Sequence, residues 1–393
     1  MAVNDLTFNQ LSSLLATITS QATGSATITP TNTSEFVSVG QTALKTGYDP
    51  VLQSISQVLS RTIFSIRPYT RKFADMMVSN QRYGAITRKL AVADKPFEDD
   101  SSYDPNSVGD GKSVDMYKVN APNVLQLNFY GMNVFEKALT IYRYQLDNAF
   151  NNADEFGQFI SMIMTNASDM IEQAHENIAR ACLANFIGGK VLGDTSSVVH
   201  LLTEYNAVSG LALTATTVYQ PDNFKAFTEW VYSRIASISD AMTERSNMYQ
   251  IQVTNKNLTR HTPYARQRLY LYSPLQHQIT SRAVSNTFND DFVKYGNYEA
   301  VNFWQSIKTP NSINVKPTYL KADGTLVTPE AASMTSEIFG VIMDEEAAGY
   351  TVVNQWSATT PFNAKGGYSN MYWHFTDKYW NDFTEKGVIL LLD

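Results

Sequence analysis

The chain has 393 residues, of which 44% are hydrophobic and 17% are charged, and its formal net charge is −7. This length allows about two or three compact units, and the apolar content excludes global disorder. The negative charge argues against a protein whose whole surface binds nucleic acid, and the single cysteine, Cys182, excludes an internal disulfide. The low charged fraction indicates that part of the surface is reserved for other subunits.

Residues 1–48 form a polar segment that carries no Lys or Arg before Lys45. The segment lacks the basic flank and apolar block of a signal peptide, and no window of the chain predicts a membrane-spanning helix, so we expect the protein to work in the cytoplasm. A short helix is predicted from Thr7. For the rest of the segment two interpretations stay open: a disordered tail, or an arm that becomes ordered only against a neighbour.

A second helix is predicted to begin at Asp49, with Pro50 in its first turn, and to end before Pro68. Charge then changes sign along the chain. Seven basic residues and one acid lie between Arg61 and Lys89, and an acid-rich stretch follows. Two neighbouring stretches of opposite charge can pair within one chain or between copies.

The acidic stretch lies between two segments with strand character, TRKLAV and VLQLNFYGM. Together they predict a two-stranded hairpin with a long irregular tip. Loops of this length inside compact domains are uncommon and are usually functional. We therefore expect the hairpin to extend away from its own core.

A long helix is predicted from Asp154 to Phe186, because apolar residues recur at helical spacing without a break. At 1.5 Å per residue it would be roughly 50 Å long. We expect Gly188-Gly189 to end it.

An α+β unit is predicted from Gln220 onward. Its expected elements are a helix from Pro221 to about Thr243, the strand RLYLYSPL, a helix from Gln276 to Phe288, further strands to Tyr319, a turn at Asp323-Gly324 and the strand IFGVIMD.

The C-terminal residues have the pattern of a sheet rather than of a frayed end. Residues 388–392 are uninterruptedly apolar, which predicts a strand buried on both faces. Residues 371–376 alternate between apolar and more polar side chains, which predicts a strand with one wetter face. We expect its partner at residues 351–358, joined through a turn at residues 363–367 in which both glycines supply positive φ.

Motifs for catalysis or for metal binding are weak. GDGKS at residues 109–113 lacks the first glycine of a phosphate-binding loop and is interpreted as a plain turn. The five histidines are scattered, and His175 and Cys182 are expected to lie in the core. The sequence therefore predicts no enzyme, no cofactor and no metal site.

Two features of the C-terminal third could imitate a sugar-binding or sugar-cleaving site. Asp344, Glu345 and Glu346 resemble a glycosidase pair, but we interpret them as the acidic N-terminus of a short helix. The clustered aromatics could form a carbohydrate platform, but their alternation favours core and interface packing.

The order of these segments resembles the major capsid proteins of tailed bacteriophages, which have the Hong Kong 97 head fold. The resemblance covers nearly the whole chain as segment order. It is most specific in IFGVIMDEEAAGYTVVNQWSATTPFNAKGGYSNMYWHFTDKYWNDFTEKGVILLLD, which is similar to the closing part of such proteins, notably those of small podoviruses.

The resemblance implies an α+β, Hong Kong 97-like capsid fold, in which the P-domain has long β-strands and the A-domain has a central sheet flanked by helices. The implied segments are an N-arm (1–48), a helix and lead-in (49–85), an extended E-loop (86–135), a P-domain with a spine helix (136–220), an A-domain (221–345), P-domain return strands (346–386) and a final A-domain strand (387–393).

It further implies that the loop acids contact basic residues of a neighbouring subunit and that the turn at 363–367 lies where three subunits converge. The expected contact residues are Glu98, Asp99, Asp100, Asp104 and Asp110; Arg61, Arg67, Arg71, Arg82 and Arg88; and Asn363, Lys365, Gly366 and Gly367. Some relatives crosslink a lysine to an asparagine of a neighbour, but no motif selects Lys95, Lys112 or Asn363 for that chemistry.

The implied function is a shell of hexamers and pentamers, icosahedral or prolate, around the double-stranded DNA genome of a phage. The implied partners are other copies of the chain, a separate scaffolding protein, a portal protein at one vertex, a decoration protein as a further option, and packaged DNA through non-specific contact. Assembly is expected in the bacterial host cytoplasm. Two alternatives remain: another assembly protein such as a tail tube or decoration protein, and an α+β enzyme.

Overall fold

The computed structural model describes residues 8–25, 29–61, 72–78, 87–93, 109–113, 115–117, 121, 123–150, 153–254, 256, 258–274, 277 and 298–393. The helix expected at Gln276–Phe288 and the helix end expected before Pro68 lie outside these residues.

The described elements include both helices and strands, which confirms a mixed helix and sheet fold. The helices are α1 (Phe8–Thr23), α2 (Thr33–Lys45), α3 (Tyr48–Arg61), α4 (Arg143–Ala149), α5 (Ala153–Gly193), α6 (Leu201–Ser209) and α7 (Pro221–Thr243). The strands are β1 (Thr87–Val92), β2 (Val124–Phe129), β3 (Met132–Tyr142), β4 (Val198–His200), β5 (Gln267–Tyr272), β6 (Tyr298–Val301), β7 (Ile313–Val315), β8 (Tyr319–Leu320), β9 (Leu326–Val327), β10 (Ser333–Thr335), β11 (Ile338–Asp344), β12 (Ala348–Thr359), β13 (Tyr368–Asn381) and β14 (Gly387–Leu391).

The chain divides into two compact units. The first contains residues 1–84, 131–179 and 350–378, and the second contains residues 85–130, 180–349 and 379–393.

The first unit is built on a three-stranded sheet in the order β12-β13-β3. One face of β13 carries Met371, Trp373 and Phe375, all buried in a core that also includes residues of α1, α2, α3 and the start of α5. The predicted pairing of β13 with β12 is confirmed. The third strand, β3, pairs antiparallel with β13 from Tyr142 opposite Tyr368 to Met132 opposite Lys378, a pairing that was not predicted.

In its described residues, 8–25 and 29–48, the polar N-terminal segment contains helices that pack on the core of its own unit. Helix α1 is confirmed, and α2 is a helix that periodicity missed. Asn32 caps α2 by accepting a hydrogen bond from the amide of Glu35 at 2.9 Å. Leu15 and Phe36 are fully buried in the first unit's core. A few large apolar residues therefore order the segment within its own chain.

The second unit is built on a five-stranded sheet in the order β4-β14-β11-β5-β6. Strand β14 is a buried inner strand, antiparallel to β11 and parallel to β4, so the prediction of a C-terminal strand buried on both faces is confirmed. Helix α7 supplies Phe224, Phe227 and Val231 to the core on this sheet.

Helix α5 has 41 residues and is about 60 Å long. The prediction that Gly188-Gly189 ends it is wrong, because the helix continues to Gly193. Both glycines are places of close approach. A Cβ on Gly188 would lie 2.5 Å from Val315, and one on Gly189 would lie 2.4 Å from the ring of Phe383. The glycines let other elements pack directly on the helix backbone.

A tight turn joins β11 to β12, so the prediction of a short acidic helix there is wrong. The carboxylate of Asp344 accepts a hydrogen bond from the amide of Glu346 at 2.8 Å and holds the chain in a turn. The prediction that both glycines of the turn at residues 363–367 have a positive φ is only half correct. Gly367 has a φ of 65°, and the φ of Gly366 is not positive.

Close packing on α5 predicts that Gly189→Ala destabilises the second unit, although alanine is the better helix former. We expect a loss of about 1–3 kcal/mol in the free energy of unfolding, measured by urea denaturation of the unassembled subunit. The double variant Gly189→Ala/Phe383→Leu should lose less than the sum of its single changes. A Gly189→Ala variant more stable than the natural protein would contradict this packing.

Candidate assembly surfaces

The hairpin of β1 and β2 has two chemically different faces. The strands are antiparallel, with Val92 opposite Val124, and their residues alternate between exposed and half-buried positions. The exposed face carries Arg88 together with Leu90, Val92 and Val124, whose exposed fractions are 64%, 62% and 44%. We call these four residues the outward hairpin face. Three apolar side chains side by side in water are typical of a surface that a partner covers.

Lys89 lies on the opposite face of β1, where its ammonium group contacts three carboxylates. Nζ lies 2.6 Å from Glu385, 2.9 Å from Asp382 and 3.1 Å from Glu346. Burial by itself would lower the pKa of Lys89, but the charges of Asp382 and Glu385 outweigh it and raise that pKa above its ordinary value. The root of the hairpin is therefore anchored by an ion cluster.

A second lysine holds the start of β2. Lys256 donates hydrogen bonds to the side chain of Asn123 and, at 2.9 Å, to the carbonyl of Val124. The amide of Ala93 donates to the carbonyl of Asn123 at 2.7 Å. Both strands of the described part of the hairpin are thus tied to their own subunit.

Asp344 at the end of β11 and the next two acids, Glu345 and Glu346, all contact arginines. Arg266 lies 2.8 Å from Glu345 and 2.5 Å from Glu346, and Arg268 lies 3.7 Å from Glu345. Burial raises the pKa of Glu346, but Lys89 and Arg266 outweigh it and lower that pKa overall. A general acid needs a raised pKa, so Glu346 is not suited to that role.

The loop from Asp382 to Lys386 is buried throughout, which is unusual because loops normally run over the surface. The fully buried Lys190 of α5 crosses beneath it. Its Nζ donates to the carbonyl of Tyr249 at 2.9 Å and to the carbonyls of Phe383 and Glu385 at 3.4 Å, and it lies 3.4 Å from Asp194.

Burial lowers the pKa of Lys190 to about 8, although Asp194 opposes this shift. Sequence reasoning missed this lysine. A single charge in the apolar run FIGGKVLG was the available signal, since a charge there must find internal partners.

The open face of the three-stranded sheet is a second exposed surface, and it lies in the first unit. Trp356 is half exposed and stacks on His374 with ring centroids 4.1 Å apart. Nδ1 of His374 lies 3.8 Å from Glu136 on β3, and Val134 is 61% exposed. We call these four residues the open sheet face. It combines aromatic and aliphatic area with one acid.

The tip between β12 and β13 is rigid. The side-chain oxygen of Asn363 accepts hydrogen bonds from the amides of Lys365 at 3.1 Å and Gly366 at 2.9 Å. The carbonyl of Asn363 accepts from the amide of Gly367 at 2.7 Å. All four expected contact residues of this turn are therefore brought together at the tip, where Lys365 is exposed.

The structure describes only three of the remaining expected contact residues. Arg88 is on the outward hairpin face, and Asp110 is exposed in a turn closed by a hydrogen bond from the amide of Lys112 to the carbonyl of Gly109. The backbone of Arg61 ends α3. The others lie outside the described residues: Arg67, Arg71, Arg82, Glu98, Asp99, Asp100 and Asp104.

His175 and Cys182 are both buried, as expected. Nε2 of His175 lies 3.3 Å from Asp377, and burial raises the pKa of the Cys182 thiol to about 12, which disfavours a reactive thiolate. Within the described residues, no group of His, Cys, Asp or Glu side chains is suited to a metal ion. No helix in the described ranges is both long and apolar enough to cross a membrane.

The sequence model of a family described as "Phi29-like phage major capsid protein" matches residues 15–388. No curated protein sequence matches the chain. Solved structures show a similar fold at low identity. "Capsid structure of Staphylococcus phage Andhra" contains a chain with 11% identity and a TM-score of 0.55, covering 85% of this chain and 87% of that one. A chain in the structure of the head fiber and inner core protein gp22 of native bacteriophage P68 has 12% identity and a TM-score of 0.53, with the same coverage.

The ion cluster predicts that Lys89→Met destabilises the second unit. Asp382 has no exposed side-chain area and Glu385 has 6%, so both would lose their nearest cation while still buried. We expect a loss of about 3 kcal/mol in the free energy of unfolding, measured by denaturation of the unassembled subunit. Arg88→Met, one residue away on the exposed face, is the matched control and should change it by less than about 0.5 kcal/mol. Equal losses in the two variants would contradict the cluster's role.

Lys190 predicts a specific pH dependence of stability. Its folded pKa is depressed, so between about pH 8 and its ordinary pKa of 10.5 the unfolded chain binds more protons than the folded one. The free energy of unfolding therefore rises with pH in this window, by at most ~3 kcal/mol from this group. Lys190→Met removes the titrating group, so the difference between the natural protein and this variant should grow across the window. A difference that stays constant from pH 7 to pH 10.5 would refute it.

Proposed function

The chain belongs to the Phi29-like phage major capsid protein family and forms the shell of a phage head, and on this premise we propose that its copies assemble as hexamers and pentamers into a closed icosahedral or prolate shell around double-stranded DNA. The observation that carries the proposal is the match of one family over residues 15–388, which leaves little of the chain for another function. The same match favours the capsid over a tail tube or decoration protein.

The Hong Kong 97-like detail is part of the proposal. Residues 1–48 are the N-arm and 86–135 the E-loop, residues 136–220 and 346–386 form the P-domain, and residues 221–345 and 387–393 form the A-domain. The 41-residue helix α5, the β1–β2 hairpin and the long strands β12 and β13 support this assignment.

The proposed role is structural and non-enzymatic, with no cofactor. The proposed partners are other copies of the chain, a scaffolding protein during assembly, a portal protein at one vertex, a decoration protein as an option, and packaged DNA through non-specific contact. Assembly takes place in the host cytoplasm, and the finished protein is in the virion capsid.

The outward hairpin face is the proposed E-loop contact with a neighbouring subunit. Its apolar residues and Arg88 complement the open sheet face, which offers Trp356, Val134 and the acid Glu136. Burying apolar area gives the contact its free energy, and the single charge on each side favours one register. The loop acids and the basic residues predicted as further contacts remain part of this proposal.

Sedimentation and negative-stain microscopy test the proposed function, with the protein expressed alone and together with its scaffold. Closed shells hundreds of ångströms across are expected when both are present. Monomers or open tubes under both conditions would overturn the proposal in favour of a tail or decoration protein.

Leu90→Ser/Val92→Ser should prevent normal shell assembly while leaving the subunit folded. Both side chains are more than 60% exposed, so their loss costs the isolated subunit little. The readouts are shell yield by sedimentation and thermal unfolding of the subunit. Val208→Ser/Ile307→Ser removes two other exposed apolar side chains of the second unit and should assemble normally. Natural shell yield in the hairpin variant would refute the contact.

A further inference from the structure

A polar groove lies beside the tip of the β12–β13 hairpin in the first unit. It has a volume of ≈ 330 Å³ and is lined by Asp49, Gln53 and residues 357–361. Asp49 supplies the only charge among these residues. The other side chains that line the groove are three hydroxyls, one amide, the methyl group of Ala358 and the ring of Pro361. Such a lining suits one cationic side chain, which would be neutralised by the carboxylate and solvated by the hydroxyl oxygens.

The groove is preformed. The carboxylate of Asp49 accepts a hydrogen bond from the amide of Phe362 and so joins the start of α3 to the tip. The amide of Thr360 donates to the carbonyl of Asn370 at 2.9 Å, and the hydroxyl of Thr360 accepts from the amide of Asn370 at 3.0 Å. A binding site whose walls are already ordered loses little entropy when it is filled.

The tip carries a cation that matches the groove but does not fill it. Lys365 is exposed, and among the described residues its ammonium group makes no ion pair. The side chain of Asn363 fixes the backbone that presents it. The tip therefore projects a compact charge on a long, flexible stem, next to a groove that carries one carboxylate.

We propose that Lys365 of one copy enters the Asp49 groove of the next copy around a point where tips converge. The inference rests on the proposed shell, and it names a residue pair in one of its contacts. A donor on the tip and an acceptor beside it make a head-to-tail interface, and such interfaces close into rings when the rotation between copies allows it. Each copy then both gives and receives one lysine.

Zero-length crosslinking tests the contact directly. A carbodiimide joins an amine to a carboxylate only when the two groups touch, so it should link the Lys365 peptide to the Asp49 peptide in assembled shells. Shells grown from a mixture of ¹⁵N-labelled and unlabelled subunits should yield mixed-isotope crosslinked peptides. Crosslinks of a single isotope composition, or the same crosslink in unassembled subunits, would place the pair within one chain and overturn the inference.

A double-mutant cycle measures the coupling. Asp49→Asn keeps the oxygen that accepts from Phe362 and removes the charge, and Lys365→Gln removes the opposite charge. Each should raise the critical concentration for assembly about fivefold, while the double variant should resemble either single variant. Lys308→Gln, which removes another exposed positive charge, is the control and should leave assembly unchanged.

These experiments distinguish a wrong Lys365–Asp49 contact from a wrong proposed function. If the natural protein forms shells and both single variants form them at the natural critical concentration, the Lys365–Asp49 contact is wrong and the shell proposal stands. If the natural protein forms no shells, the proposed function itself is wrong. Fully additive effects of the two substitutions would also overturn the pairing, since they would show that the two side chains act independently.

Discussion

The buried loop between β13 and β14 is the constraint on which the second unit depends. A loop in the interior exposes backbone carbonyls and side-chain charges to a medium that solvates them poorly, and each must be satisfied by the protein. Lysines do this from different elements. Lys190 of α5 donates to the carbonyls of Phe383 and Glu385, Lys89 of β1 neutralises Asp382 and Glu385, and Lys386 itself donates to the carbonyl of Glu244 at 3.0 Å. Arg260 also contacts Glu385, at 3.1 Å, so the buried carboxylates and carbonyls of this loop are shared among several cations.

Contacts with the same loop account for the unusual backbone of Tyr249 and for the glycine at position 189 of α5. Tyr249 adopts a φ of 64°, an unusual conformation for a bulky side chain, and its carbonyl accepts from both Lys190 and the amide of Gly387. Gly189 lets the ring of Phe383 rest on the helix backbone. The position of the final strand is thus determined by contacts with α5 as well as by its pairing with β11. The C-terminus is therefore a central part of the unit rather than an appendage.

Much of the fold could be predicted from periodicity, and the failures share a cause. Strand β14 and helix α5 were predicted because their apolar residues follow one template over many positions. The end of α5 was misplaced because glycine both ends helices and admits close neighbours, and only the tertiary packing of Phe383 distinguishes the two. Helix α2 was missed because polar residues dominate it, although Phe36 is fully buried. The contacts of Lys89 and Lys190 join residues far apart in sequence, and local patterns do not contain such pairings.

The charged groups that stabilise the subunit differ from those that we propose for contacts in the shell. The multivalent ion clusters are inside the second unit, where loss of one partner is costly. The outward hairpin face and the tip groove carry only a few apolar side chains and one charge each. Contacts of this kind are individually weak, so a misplaced subunit dissociates before its neighbours enclose it. In the proposed shell, a correctly placed subunit would make several such contacts at once, and their combined effect would retain it, as expected for multivalent attachment. A subunit with stable cores and weak, repeated surfaces is therefore suited to building a closed shell without trapping errors.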